Sequence, residues 1–189
     1  MNSMADQSKI PEPVSEMLYK WGSKIADLKS DLKKIDYIRQ YHSSLLKNTD
    51  FFRFLLENIS GGKSFPDIRR CEIFETEMLL YIHPNRHFSL RFAILAPGEC
   101  TVIHDHNSWG VIGAVSGCME VVKYQRIDEG SGENHAILRE KEQLFLDPGE
   151  TDFTLPENDG IHKTGNPTQK TIVTASIYGK PIRDRKSVV

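Results

Sequence analysis

From about Cys71 onward the chain changes period, and that change limits its fold more than any other feature. Before this point apolar residues recur at three and four. After it they come in short runs, at 73–82, 88–96, 111–115, 119–124, 143–146, 152–155 and 171–178. The dividers are turn-formers: Pro84-Asn85, Pro97-Gly98, Ser116-Gly117, 128–132, Asp147-Pro148-Gly149 and Asn166-Pro167. Short β-branched and aromatic runs at this spacing predict a mainly-β sandwich or barrel. At 189 residues the chain is long enough to bury one real core.

The earlier segment reads as helix. Ile25, Leu28, Leu32, Ile35, Ile38, Leu45 and Leu46 follow a helical period, while Lys24, Lys29, Asp31 and Lys34 mark a solvated face. Thr49-Asp50 are placed to cap a further short helix holding Phe51, Phe52, Leu55, Leu56 and Ile59, and Gly61-Gly62 to end it. The expected organisation is a flexible N-terminus over 1–13, a helical support over 14–70 and a β-barrel over 71–189, forming one structural domain. No internal repeat or low-complexity tract is present.

Within the β region lies the pattern Gly98-x5-His104-x-His106-x3-Gly110-x6-Gly117, and His162-x3-Asn166 follows later. On a strand, His104 and His106 would project to one face and Asp105 to the other. One H-x-H pair among seven histidines means little by itself. The turns at Pro97-Gly98 and Ser116-Gly117, the strand-forming residues Val102-Ile103 and 109–115, and the distant His162 make it a candidate three-imidazole metal site. Such a set leaves half of an octahedron open.

The spacing G-x5-H-x-H, followed later by P-x3-G-x-H-x3-N, resembles the two motifs of the cupin superfamily. Most cupins carry a glutamate ligand three or four places after the second histidine, where this chain has Gly110 and Val111. A three-histidine site with glycine at that place is similar to the cysteine dioxygenase-like family of thiol dioxygenases. The strings 88–98 and His104-Asp105-His106-Asn107-Ser108-Trp109-Gly110, with Ser176-Ile177-Tyr178-Gly179, look most like its bacterial members. The resemblance spans roughly 73–183. It implies a cupin double-stranded β-helix, or jelly-roll barrel, with the N-terminal helices packed on it.

The resemblance also implies Fe(II) held by His104, His106 and His162, with zinc, nickel and manganese as alternatives. Three neutral imidazoles leave the ion's charge uncompensated, which favours anionic ligands and leaves room for O₂. The family reaction is insertion of both oxygens of O₂ into a small carboxylated thiol, of the cysteine or 3-mercaptopropionate type, to give a sulfinate. The family's Ser-His-Tyr relay maps in part: Tyr178 matches the tyrosine, Ser176 stands where the histidine would be, and Thr174 lies two places earlier. On one strand these three share a face. No cysteine follows the histidine pair to cross-link with the tyrosine, and Cys118 lies beyond the next turn.

A carboxylate substrate needs a cation, preferably a bidentate arginine. Arg91 has inward parity with Ser89 and Ala93; Arg183, Arg185 and Arg69-Arg70 are further options. Trp109 is expected to pack in the barrel beside the site. His42, His83, His87 and His135 read as surface residues.

Three functions fit these residues: an iron thiol dioxygenase, another metal-dependent cupin enzyme (a lyase, an isomerase or a non-thiol oxygenase), and a non-catalytic cupin that binds a small molecule. A net charge of −2 without a basic stripe argues against nucleic acid. No run approaches a membrane span, the first residues lack an apolar signal region, and the three cysteines fit a reducing compartment. A cytoplasmic location is expected, and the pattern leaves oligomeric state open.

Overall fold

The computed structural model describes residues 10–62, 77–128 and 135–179. Three helices come first: α1 (Glu12–Ala26), α2 (Asp31–Leu46) and α3 (Thr49–Ser60). Residues 10–13, expected to be part of a flexible terminus, are anchored: Ile10 is buried with the helical core, and α1 starts at Glu12 behind Pro11. Ser30 caps α2 by accepting from Lys33 N. The cap of α3 is Asn48, whose Oδ1 accepts from Phe51 N at 3.0 Å, and not the Thr49-Asp50 pair expected. Leu32, counted with the apolar stripe, is exposed.

Eight strands follow: β1 (Glu77–Ile82), β2 (Ser89–Leu95), β3 (Gly110–Ser116), β4 (Met119–Arg126), β5 (Leu138–Leu146), β6 (Thr151–Thr154), β7 (His162–Gly165) and β8 (Ile172–Tyr178). They form two antiparallel sheets, ordered β1-β2-β8-β3-β6 and β5-β4-β7. Residues 98–104 extend the smaller sheet without regular strand pairing, through isolated bridges Cys100↔Gly165 and His104↔His162. After β2 the chain therefore alternates between sheets: 98–104 in the smaller, β3 in the larger, β4 and β5 in the smaller, then β6, β7 and β8 in turn. That alternation is a double-stranded β-helix, a mainly-β jelly roll with the helices on one outer face.

Period-two alternation sorts the larger sheet into two cores. Leu90, Phe92, Val111, Val173, Ala175 and Ile177 face the helices and join Leu18, Ile38, Leu45 and Phe52. Leu95, Ile112, Ala114 and Ile172 face inward, against Met119, Val121 and Leu146 of the smaller sheet. The strand β8 is buried along its whole length because both of its faces are covered.

Two strands differ from expectation. β5 begins five residues before the run at 143–146, because Arg139–Glu142 are charged and exposed on an edge strand and carry no apolar period. The polar β7, His-Lys-Thr-Gly, carries no apolar signal either, because its buried inward residues, His162 and Thr164, are polar. Of the run 73–82, the part before Glu77 lies outside the described residues, as does Cys71. Cys100 and Cys118 are free thiols. Among the described residues no helix is long and apolar enough to cross a membrane.

His42 and His83 are not surface residues: both are fully buried. His42 sits on the sheet-facing side of α2 and its Nε2–H donates to Ala175 O at 3.0 Å. Burial lowers its pKa from 6.5 to about 4, against a smaller raising effect of the carbonyl. The unfolded chain therefore takes up this proton near pH 6.5 while the folded chain resists it until about 4. Stability is fully present above pH 6.5 and falls as pH drops through that window, by about 3 kcal/mol from this group. Urea titrations between pH 7 and pH 4 should show this slope in the parent and lack it in His42→Gln. An equal slope in both would remove His42 as the cause.

Candidate metal centre

The segment 98–104, which carries His104, is zipped onto β7 and the residue that follows it. Gly98 N donates to Asn166 O at 3.0 Å, and Asn166 N to Glu99 O at 2.8 Å. Thr101 N donates to Thr164 O at 2.8 Å, and His104 and His162 exchange both backbone bonds, at 3.0 and 2.9 Å. His104 and His162 are thus directly opposed on neighbouring strands, where side chains stand side by side. The Asn166 side chain fastens the end of the ribbon: its Nδ2 donates to the carbonyls of Leu95, Ala96 and Lys170, and its Oδ1 accepts from Thr168.

The expected strand through His104 and His106 is not formed. After the His104 bridge the backbone is irregular until Gly110, as it crosses from one sheet to the other. His106 is carried on that crossing, whose carbonyl accepts from Glu157 N at 2.7 Å. The convergence survives by another route. The three imidazoles are buried, their centroids lie 4.6 to 5.0 Å apart, and one candidate ligand atom from each lies within 4.8 Å of the others.

Two of the rings are held in the tautomer that a metal ligand needs. His104 Nδ1 lies 2.9 Å from Val102 O and His162 Nδ1 lies 2.8 Å from Gly160 O. A carbonyl only accepts, so each Nδ1 carries the proton and each Nε2 keeps its lone pair. Such a tether fixes tautomer and ring orientation and raises ligand basicity. The residues therefore fit a divalent metal held by three neutral nitrogens. Gly160 O also accepts from Thr154 Oγ1 at 2.9 Å, which holds the tether itself in place.

Gly110 has a steric reason. A Cβ there would stand 2.7 Å from Cδ1 and Cε1 of Tyr178 and 2.9 Å from Thr154 Cγ2. The Tyr178 ring occupies the space that a side chain at 110 would need. It also lies against His106, with centroids 4.7 Å apart.

Thr174, Ser176 and Tyr178 share the inward face of β8 and line the small space at the histidines, as does Arg91. Arg91 is the direct register partner of Ser176, and its guanidinium carbon stands 5.9 Å from the Tyr178 ring centroid. Its charge is already engaged: Nη1 donates to Glu77 Oε2 at 2.7 Å, with both side chains largely buried. Its Nε, also buried, has no hydrogen-bond partner among the described residues. Glu77 escaped the sequence reading, although an acidic residue inside an apolar period-two run was the signal to follow.

Trp109 stands away from the place beside the site where the sequence puts it. It packs with the helix-facing core, its indole against Gly179, and does not line the metal centre. The cause is parity: Gly110 and Ile112 face inward, so Trp109 and Val111 face the helices. Arg183, Arg185 and Arg69-Arg70 lie outside the described residues.

No family model matches the chain. Solved structures similar to it include a Cupin 2 domain of an XRE family transcriptional regulator from Enterobacter cloacae, 19% identical, covering 56% of this chain and 95% of that one, with a TM-score of 0.39. A protein with a double-stranded β-helix domain from Klebsiella pneumoniae is 13% identical over 58% of this chain and 80% of its own, with a TM-score of 0.43. An oxalate oxidase in complex with the substrate analogue glycolate is 17% identical over 53% of this chain and 46% of its own, at 0.42. The fold described above rests on its own strand order and register, and no activity passes from those proteins to this chain.

Proposed function

We propose that the chain is a metal-dependent cupin enzyme, a non-haem Fe(II) thiol dioxygenase that converts a small carboxylated thiol to its sulfinate. The observation that carries this reading is a donor set without a carboxylate among the described residues: three buried imidazoles, two of them tautomer-locked, with the Tyr178 ring filling the place of a side chain at Gly110. A bound Fe(II) supplies redox chemistry and open positions for anionic ligands, because three neutral imidazoles leave its charge uncompensated. The net change balances as R–SH plus O₂ giving R–SO₂H: two S–O bonds form and the O–O bond breaks.

The chain's own residues hold the partners. Arg91 presents its unpartnered Nε to a carboxylate, while Glu77 fixes the guanidinium through Nη1. Tyr178, wedged between His106 and Arg91, supplies a hydroxyl on the same face as Ser176 and Thr174. A second reading, a metal-dependent cupin acting on a non-thiol substrate, is favoured by the Arg91–Glu77 pair, which offsets the cation that a substrate carboxylate would seek.

The test is metal analysis of the purified protein, followed by oxygen uptake of the Fe(II)-loaded form with cysteine and 3-mercaptopropionate. Stoichiometric iron and sulfinate production are expected, with Arg91→Ala raising KM at least about tenfold through loss of a charged hydrogen bond. No uptake with any carboxylated thiol would leave the second reading.

A further inference from the structure

The space beside His104 and His162 is small, about 20 Å³, but a cavity of about 520 Å³ backs onto it. Ile112 and His162 form part of both walls. The larger cavity lies between the smaller sheet and β6, within the size range of sites for organic ligands. At its base, Lys123 of β4 is the direct cross-strand partner of His162. The Lys123 ammonium donates to Asp152 Oδ1 at 2.8 Å, stands 3.6 Å from Glu142 Oε2 and lies 5.1 Å from the Phe153 ring centroid.

Asp152 sits on β6 opposite Ile112, with its side chain only 8% exposed. Its other oxygen, Oδ2, is buried and has no hydrogen-bond partner among the described residues. A buried acceptor left unmade costs about 1–3 kcal/mol, more for a charged one. One ammonium faces two carboxylates here, so the group carries a net charge of −1. An empty acceptor in a net-negative setting selects a cationic donor over a neutral or anionic one. The remaining wall includes Leu144, Leu155 and Ile161, which suit an apolar body.

We propose that this cavity binds an organic primary ammonium compound, its –NH₃⁺ held by Asp152 Oδ2 and its apolar part along Leu144, Leu155 and Ile161. The site goes beyond the reaction proposed above and does not depend on which metal the histidines hold.

The probes are n-hexylamine, n-hexanol and n-hexanoate, titrated calorimetrically into the full chain in metal-free and Fe(II)-loaded forms. Hexylamine is expected to bind at least roughly tenfold more tightly than the other two, the worth of a charge-assisted hydrogen bond. Asp152→Asn should lose that preference. Lys123→Met, which releases Oδ1 and the opposing charge, should tighten hexylamine binding and enlarge its stabilising effect on thermal unfolding. Equal or absent binding of all three probes, or a preference for hexanoate, overturns the proposal. So does weakened hexylamine binding in Lys123→Met, because the pair would then only build the wall. If Asp152→Asn does not fold, the parent and Lys123→Met decide the matter. Because binding is read in the metal-free protein too, absence of iron or of thiol oxidation leaves this site standing.

Discussion

Replacing His162 with alanine is expected to lower metal affinity by more than about 100-fold while leaving the barrel folded. Loss of a partner that merely orients a ligand already costs about 10–100-fold, and removal of the ligand itself must cost more. The fold should survive because His162 joins His104 through backbone bonds, which alanine keeps. Its imidazole contributes only one of the three converging nitrogens. Calorimetric metal titration, with circular dichroism as the check on folding, measures both halves. Retention of stoichiometric, tightly bound metal in this variant would refute the three-histidine centre.

Gly160→Ala should add the most damaging methyl group of any described glycine. Its Cβ would fall 1.8 Å from Leu155 O and 2.3 Å from Thr154 Oγ1, so backbone, not a flexible side-chain tip, must give way. Overpacking of a well-packed interior costs about 1–3 kcal/mol, and the upper end applies where backbone resists. For a chain of this size that corresponds to a fall in Tm of roughly 6–12 °C. The same displacement moves the carbonyl that tethers His162 Nδ1, so metal affinity should drop by about 10–100-fold. Thr154→Val separates the two effects, because it removes the hydroxyl that braces Gly160 O without adding a clash. It should weaken metal binding with a smaller loss of stability. Unchanged metal affinity in both variants would show that the tether does not matter.

Much of the barrel was legible because half-buried strands announce themselves by alternation. The runs that became β2, β3 and β8 carry apolar residues to one core on alternate positions and to the other core on the positions between, while β4 carries Met119 and Val121 to the inner core. The polar strand β7 and the charged edge β5 were harder to read, since nothing apolar marks a strand whose inward residues are polar or whose face meets solvent. Arg91 shows both sides. Its inward parity followed from Ser89 and Ala93, yet its neutralising partner Glu77 lies fourteen positions earlier, across a strand boundary that only register defines. Trp109 failed for want of one fact, the residue at which β3 begins.

The sequence by itself determined the three imidazoles, the mainly-β architecture with helices before it, and the absence of a side chain at Gly110. Residue type, period and spacing are local quantities, and these conclusions need nothing more. The tertiary structure alone decided that His104 faces His162 through a bridge rather than along a regular strand, and that His106 arrives on a crossing between sheets. It alone set Lys123 beside His162 and placed Asp152, its Oδ2 buried and unpartnered among the described residues, in the wall of a cavity. Those are facts of pairing between segments far apart in the chain, fixed by how two sheets close around one another, and no local pattern carries them.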